Sequence, residues 1–365
     1  MTVLKIGILT FQFADNYGAM LQAYALKKHI SQNTEFSVKI INYVSDEFKD
    51  RYSISPFSSR VHGIKPFLNA VIKYPIKCCQ RHKFQKFRRN KLEISSQEHS
   101  TLTDADFDKF IVGSDQVWNT DITFNDYNYF LANVSDNAGK YAYAASAHNA
   151  FLHDVQREKC LLHLEKFNEI SVREIQMQSV IQENLKRDIQ LVCDPVFLQS
   201  REFWESESVQ PKRIPEKYIL LYSLRKNMAL EHIAEKLSKE KGIPVIQIHP
   251  MVQKISHVGK LQYDVGPEEF LGLIRRADCI VSNSFHAFAF SCIFSKQIYF
   301  EMLPETSNRI LSLINMLDIQ VEKYHSAYSA DLHVYGSERY NKIKKSSENY
   351  LNQICLNGDN YEIEK

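Results

Sequence analysis

A histidine in the second half of the chain lies where a predicted strand gives way to a predicted helix. The apolar run 279–281 predicts the strand, the polar residues 282–284 predict the turn, and His286 stands at the head of the helix. An imidazole in this place titrates near neutral pH and can serve as a general acid or base. A lone histidine is also a common structural residue, so the pattern leaves both roles open.

Two arginines occupy positions from which they could hold an anion. Arg173 follows the apolar run 170–172, and Arg309 lies in the first turn of a predicted helix. A guanidinium group presents a fork of N–H donors that fits a carboxylate or a phosphate. Salt bridges to the nearby Glu174 and Glu305 are the alternative role of these side chains.

The loop at residues 11–18 connects the first predicted strand to the first predicted helix. It contains Asp15, Asn16 and Gly18 at a helix N-terminus, where backbone N–H groups favour anions. The loop is neither a GxGxxG motif nor a P-loop, so it does not indicate a dinucleotide or a nucleoside triphosphate. Turn formation and helix capping explain the same residues without a ligand.

A second loop follows the predicted strand 110–112 and begins with Gly113 and Ser114. A small pair of residues at a strand end allows a ligand to approach closely. Asp115 and Trp118 are residue types that hold sugars through hydrogen bonds and ring stacking. Capping of a helix by Ser114 or Asp115, with Trp118 in the core, is the alternative. Asp194 also ends a predicted strand, and we assign it to capping.

The composition indicates a two-domain protein without a general attraction to polyanions. The chain has 365 residues, 44% of them hydrophobic, which is more than one compact core requires. Its 45 basic and 43 acidic residues nearly cancel, so nothing indicates nucleic-acid binding. The seven cysteines include no C-x-x-C pair, which is typical of a reducing compartment. We therefore expect a cytoplasmic protein without a metal site.

Strand and helix patterns alternate along the chain and predict an α/β protein with two doubly wound, Rossmann-like domains. The predicted strands are 4–10, 38–44, 110–112, 141–145, 170–172 and 190–192, and then 218–222, 244–248, 279–281 and 298–300. We predict an N-terminal domain over 1–200, a linker over 201–215, a C-terminal domain over 216–330, and a helix within 331–365 that packs back on the lobes. Ligands of such sheets bind beyond the carboxyl ends of the strands, here in the cleft between the domains.

Residues 51–92 have an unusual charge. The segment contains eleven lysines and arginines and no aspartate or glutamate, with apolar residues interleaved. An amphipathic helix of this kind suits an anionic membrane surface. Ordinary surface helices that pack their apolar face on their own domain share the pattern. We favour packing on the protein and keep peripheral contact with the inner face of the plasma membrane as the alternative.

Taken in order, these motifs resemble the polysaccharide pyruvyl transferase family. The resembling segments are 5–26, 113–119, 143–146, 171–174, 194–198, 283–291 and 307–310, which span residues 4 to about 317. The resemblance implies two facing Rossmann-like domains, similar to those of GT-B glycosyltransferases, with the acceptor on the N-terminal and the donor on the C-terminal side. It implies transfer from phosphoenolpyruvate, without a cofactor, to two hydroxyls of a sugar. The products are a pyruvate ketal and phosphate. The sugar belongs to a cell-surface polysaccharide, or to a precursor that is free or linked to polyprenyl diphosphate.

The same resemblance implies roles for individual residues. His286 would protonate the methylene carbon of the donor, Arg173 and Arg309 would hold its anionic groups, and Asp15 or Asp115 would orient the sugar hydroxyls or accept their protons. The residues expected to bind substrate around them are Asn16, Gly18, Gly113, Ser114, Trp118 and Ser284.

The chain departs from the family pattern two residues before the histidine. Members with established activity carry an arginine where this chain has Ser284. The missing cation would then come from Arg275, Arg276 or Arg309.

Two alternatives stay open at this stage. A nucleotide-sugar glycosyltransferase could use the same scaffold, with Glu301 or Glu305 holding a ribose. A non-catalytic glycan-assembly protein could bind the membrane through residues 51–92. The sequence does not predict the oligomeric state.

Overall fold

The computed structural model describes residues 4–58, 61–99, 102, 107–147, 154–302 and 307–356. Glu305, which the sequence offered as a salt-bridge partner of Arg309 or a ribose contact, lies outside these ranges. Among the described helices, none combines the length and the apolar character that a membrane span requires.

The first half of the chain forms a seven-stranded sheet in which every pairing is parallel. Its strands are β1 (Lys5–Leu9), β2 (Ser37–Tyr43), β3 (Ile94–His99), β4 (Lys109–Val112), β5 (Gly139–Ala145), β6 (Glu169–Val172) and β7 (Gln190–Leu191). The order β3-β2-β1-β4-β5-β6-β7 is that of a Rossmann sheet, with β1 and β4 at the point where the order reverses.

The second half forms another seven-stranded sheet. Its strands are β8 (Ile219–Tyr222), β9 (Val245–Ile248), β10 (Lys260–Leu261), β11 (Cys279–Ser282), β12 (Gln297–Phe300), β13 (Glu322–Tyr324) and β14 (Ala327–Asp331). The order is β10-β9-β8-β11-β12-β14-β13. The pairings among β8 to β12 are parallel, whereas β14 adds antiparallel to β12 and pairs with β13. The predicted fold of two Rossmann-like halves is confirmed, and the antiparallel edge is a departure from a purely parallel sheet.

Twelve helices connect and cover the strands in the described part of the chain. They are α1 (Tyr17–Asn33), α2 (Asp46–Arg51), α3 (Ile64–Phe87), α4 (Thr120–Thr123), α5 (Asp154–Leu164), α6 (Ile175–Leu185), α7 (Arg201–Glu207), α8 (Met228–Lys241), α9 (Pro267–Arg276), α10 (Phe285–Ile293), α11 (Ser307–Leu317) and α12 (Glu338–Leu356). Helix α7 lies within the segment 192–218, which connects the two sheets.

One hydrophobic core extends from the first lobe into the second. Tyr17, in the first turn of α1, stacks on Phe270 of α9 with ring centroids 4.8 Å apart, and it contacts Tyr222 at the end of β8. All nine residues of α10 are buried. A helix that is apolar on nearly every side belongs in the interior, and α10 meets the start of α1 there, between the two sheets.

The final helix α12 crosses to the first lobe. The Tyr350 hydroxyl donates to the Ala142 carbonyl at 2.9 Å, and the Ser347 hydroxyl accepts from the backbone N–H of Cys193 at 2.9 Å. The chain therefore starts and finishes its described structure in contact with the first sheet.

Candidate active site

A cavity of about 230 Å³ lies between the two lobes at the carboxyl ends of the strands. The first lobe contributes residues that follow β1 and β4, including Asn16 and Asp115. The second lobe contributes Ser284, His286 and Arg309 from the starts of α10 and α11. This is the place at which open parallel sheets bind their ligands.

His286 lies in the first turn of α10, where the hydroxyl of Ser284 caps the helix. The imidazole is 6% exposed and its Nε2 has no hydrogen-bond partner among the described residues. Buried polar atoms are nearly always paired in proteins, so an unpaired one beside a cavity is suited to a ligand. Burial lowers the pKa of His286, and Arg173 and Arg309 act in the same direction, against Asp194 and Asp115.

Gly18, in the first lobe, leaves the space in which the imidazole of His286 packs. A Cβ atom at this position would lie 2.1 Å from Nδ1 of His286, so only glycine lets the ring pack against the start of α1. The position of His286 is therefore set jointly by α10 and α1.

Replacing Gly18 with alanine is expected to lower kcat/KM of the pyruvyl transfer proposed below by about 100-fold, because the imidazole must move by roughly 1 Å. Steady-state phosphate release measures the effect. Combining the change with His286→Ala should add little further loss, because Gly18 acts through the ring that His286→Ala removes. Fully additive losses would contradict this role.

Arg173 lies behind the cavity, 3% exposed, among three carboxylates. It forms an ion pair with Asp194, and its other nitrogens lie 3.2 Å from Asp115 Oδ1 and 3.5 Å from Glu174 Oε1. It also donates to the Ser114 hydroxyl at 3.2 Å. The residue predicted to hold the donor thus contacts protein carboxylates and positions them.

Arg309 lines the cavity itself. Burial and the neighbouring charge of Arg173 lower the pKa of Arg309 to about 10, so it stays protonated at neutral pH. An anionic ligand would offset the unfavourable burial of this charge. The other two predicted substitutes for the missing family arginine, Arg275 and Arg276, lie at the end of α9 and do not line the cavity.

Phe285 lies close to both arginines and was not singled out from the sequence. The ring centre is 4.8 Å from Cζ of Arg173 and 5.8 Å from Cζ of Arg309. Cation–π contacts of this kind hold guanidinium groups in fixed positions. Its place directly before His286 at a strand-to-helix turn is the sequence signal for this role.

Asp115 lines the cavity and faces its cations. Burial by itself raises the pKa of this carboxyl group, but Arg173, His286 and Arg309 outweigh that effect and hold it below the ordinary value. The backbone N–H of Gln116 donates to its Oδ1 at 2.9 Å. Asp115 is therefore an ionised hydrogen-bond acceptor at neutral pH.

Asp194 connects the charged groups behind the cavity. The predicted capping role is confirmed, because its Oδ1 accepts from the backbone N–H of Val196 at 3.1 Å. Its Oδ2 pairs with Arg173 and lies 3.7 Å from Nε2 of His286. Sequence reasoning missed this second role. In the sequence, Asp194 and Arg173 each follow a predicted strand, which was the only signal for their contact. The structure shows that these two strands, β7 and β6, are neighbours in the sheet.

Asp15 lies outside the main cavity. Its carboxylate pairs with Arg88 and lies 3.9 Å from Nε of Arg81. It lines a neighbouring cavity of about 30 Å³ together with Tyr52, which lines both cavities. Of the two predicted acidic residues, Asp115 is thus the one in contact with the main cavity.

The remaining predicted residues fall into two groups. Asn16 lines the cavity and caps α1 through its side-chain oxygen. Gly113 and Ser114 are packed behind it: a Cβ at Gly113 would lie 2.1 Å from the Tyr143 carbonyl oxygen. Trp118 is fully buried and donates its indole N–H to the Tyr129 carbonyl at 3.0 Å, so its ring belongs to the core.

Two further observations concern the nucleotide-sugar alternative and metal binding. Glu301 accepts a hydrogen bond from the side chain of Asn227 and does not line the cavity. Within the described ranges, no three histidine, cysteine or carboxylate side chains are grouped as metal ligands would be.

Comparison with solved structures gave distant matches over nearly the whole chain. A UDP-GlcNAc 2-epimerase from Methanocaldococcus jannaschii is 13% identical, with 97% of this chain and 100% of that chain covered and a TM-score of 0.46. One from Neisseria meningitidis bound to UDP-GlcNAc is 10% identical, with 98% and 100% covered and a TM-score of 0.47. The E. coli ADP-heptose LPS heptosyltransferase II is 10% identical, with 96% and 99% covered and a TM-score of 0.35. A search of curated proteins found no match.

A family model gives the stronger result. The model for polysaccharide pyruvyl transferases matches residues 16–300, which is well over half of the chain. The matched range includes the cavity residues from Asn16 to His286, and Phe11, Ala14 and Arg309 lie outside it. The chain therefore belongs to the polysaccharide pyruvyl transferase family.

Proposed function

We propose that the protein transfers a pyruvyl group from phosphoenolpyruvate to two hydroxyls of a sugar, forming a pyruvate ketal and releasing phosphate. The observation that carries the proposal is one cavity that combines the buried imidazole of His286, the half-buried cation of Arg309 and the ionised Asp115. The reaction needs a proton donor, a binding site for the anionic groups of phosphoenolpyruvate, and a group that accepts hydrogen bonds from the sugar hydroxyls. His286, Arg309 and Asp115 can supply these in that order.

The donor would bind at the C-terminal side of the cleft. Phosphoenolpyruvate carries a phosphate and a carboxylate, and Arg309 supplies a half-buried positive charge for one of them. Arg51 also lines the cavity. The N-termini of α1 and α10 open on it through their capping residues, Asn16 and Ser284. Helix N-termini favour anions, so they add to the attraction of the two arginines.

His286 would deliver the first proton. Protonation of the donor methylene carbon turns it into a methyl group and makes C2 electrophilic. One sugar hydroxyl adds to C2 and loses its proton, and the C2–O bond to phosphate breaks. The second hydroxyl then adds to C2 and loses its proton, which closes the ketal. The two hydroxyl protons balance the one delivered to carbon and the one carried by the released hydrogen phosphate.

Asp115 would orient the acceptor. An ionised carboxylate accepts hydrogen bonds from sugar hydroxyls and can take up the proton that an attacking hydroxyl loses. The buried network of Arg173 and Asp194 holds Asp115 and His286 in place from behind. The acceptor in this proposal is a sugar of a cell-surface polysaccharide or of its free or polyprenyl-diphosphate-linked precursor.

The experiment that tests the proposal supplies phosphoenolpyruvate or a UDP-sugar together with a panel of glycan acceptors. We expect phosphate release with phosphoenolpyruvate, no UDP release, and a higher melting temperature in the presence of phosphoenolpyruvate. Release of UDP instead would support the nucleotide-sugar glycosyltransferase. If neither product formed and phosphoenolpyruvate did not stabilise the protein, the pyruvyl transfer would be refuted.

A further inference from the structure

The N-terminal half of α3 leaves an apolar surface uncovered. Ile64, Leu68, Val71 and Ile72 recur at the spacing of one helix face, and we call these four residues the α3 stripe. Ile64 is 81% exposed and Ile72 is 72% exposed. Phe57, in the preceding loop, is 83% exposed and its ring lies 5.5 Å from that of Phe67 at the start of the helix. A run of large apolar side chains this exposed marks an interaction surface rather than ordinary surface variation.

The C-terminal half of the same helix is anchored on both lobes. Phe84 and Phe87 are buried in the core, and the Gln80 amide donates to the Tyr17 hydroxyl at 3.1 Å and to the His249 carbonyl at 3.0 Å. At 100° per residue, Gln80 and Phe84 lie on the side of the helix opposite the α3 stripe. The sequence-based preference, that the apolar face packs on its own domain, is therefore wrong for residues 64–72.

The charge around the α3 stripe indicates what covers it. Residues 51–92 include eleven lysines and arginines and no acidic residue, and four of these cations, Arg81, Lys83, Arg88 and Lys91, pair with carboxylates of other segments. Lys73 is exposed on the side of the helix opposite the stripe. Lys65 is exposed beside the stripe, Lys86 is exposed farther along the same side of the helix, and Arg89 is exposed just beyond the end of the helix. A second copy of the chain docked stripe to stripe would bring these like charges together. An anionic lipid surface would instead attract them while it receives the apolar side chains.

We infer that the α3 stripe inserts into the interface of a bilayer that contains anionic phospholipid, with Lys65 and Lys86 on the headgroups. Tyr52 lines the main cavity, and its carbonyl accepts a hydrogen bond from the Arg81 side chain of α3 at 2.9 Å. Docking through α3 therefore places the mouth of the cleft near the membrane surface. The inference concerns the surface of the protein and does not rest on the proposed donor.

Co-sedimentation of the full-length protein with vesicles tests the inference. We expect binding to vesicles of phosphatidylcholine and phosphatidylglycerol, weak binding to phosphatidylcholine alone, and release at 0.5 M salt, which is about five times the ionic strength at which the Debye length is ~10 Å. The double variant Leu68→Ser/Ile72→Ser should lower the bound fraction at least about tenfold. The matched variant Leu162→Ser/Met228→Ser, which changes two exposed apolar residues elsewhere, should bind as the wild type does.

Three outcomes would overturn the inference. One is absence of vesicle binding by the wild-type chain, and another is equal binding by the wild type and the Leu68→Ser/Ile72→Ser variant. The third is a doubled solution mass that the same variant restores to one chain, which would assign the α3 stripe to a second copy. The vesicle assay contains no phosphoenolpyruvate, so its failure and a failure of the proposed transfer are separate results.

Discussion

Replacing His286 with alanine is expected to lower kcat for phosphate release by about 10²–10⁴-fold, the range usual for loss of a general acid. Folding should be retained, because Nε2 of this residue makes no hydrogen bond with the described residues that the change would remove. Steady-state phosphate release and the melting temperature measure the two effects. The matched control is His29→Gln, which changes another buried histidine, on α1, and should leave kcat unchanged.

The pH profile separates a proton donor from a merely structural histidine. Burial lowers the pKa of His286 in the free protein, so its charged form is lost as pH rises above that lowered value. The wild-type kcat/KM should therefore fall by up to about tenfold per pH unit between pH 6.5 and 8. Arg309 stays charged throughout this range, because its pKa is about 10. An unchanged pH slope in the His286→Ala variant would contradict the assignment, as would an unchanged kcat.

Replacing Arg173 with alanine is expected to produce the largest loss of stability. The change would leave Asp115, Glu174 and Asp194 buried without their shared cation, and breaking a buried ion pair usually costs about 3–5 kcal/mol. Urea unfolding at pH 7 measures the free energy of unfolding. Arg275→Ala removes a more exposed arginine, 3.9 Å from Glu205, and should cost less than about 1 kcal/mol.

The pKa values of the carboxylates decide how pH changes the loss of stability caused by Arg173→Ala. In the wild type, the pKa of Asp115 is held below its ordinary value, so the stability that this group contributes is present at neutral pH and is lost only as pH falls through the lowered pKa. In the variant, buried carboxyl groups without a cation have raised pKa values and are stabilised by protonation. The difference in stability between the two proteins should therefore narrow from pH 7 towards pH 4. A constant difference would show that lost packing, rather than charge, explains the effect.

The alternation of strands and helices determined the fold class, since each predicted strand of the sequence is present in one of the two sheets. The strands that sequence reasoning missed are β3, β10, β13 and β14, all at or next to a sheet edge. An edge strand is covered on fewer sides and needs no apolar run, as the polar sequence of β3 shows. Hydrophobic periodicity detects strands by their burial and therefore fails at the edges.

The sequence by itself also placed His286 at a strand-to-helix turn and Arg309 in the first turn of a helix, but only the tertiary structure determined which charged groups meet. Asp194 and His286 are 92 positions apart in the chain, and they approach each other because the carboxyl ends of two sheets face one cleft. The same packing brought Asp115 to the cavity and directed Asp15 to Arg88. Periodicity likewise showed that the apolar residues of α3 share a face, but whether other parts of the chain cover that face depends on how the helix is anchored. Local patterns determine which way side chains point, and the path of the chain decides what they contact.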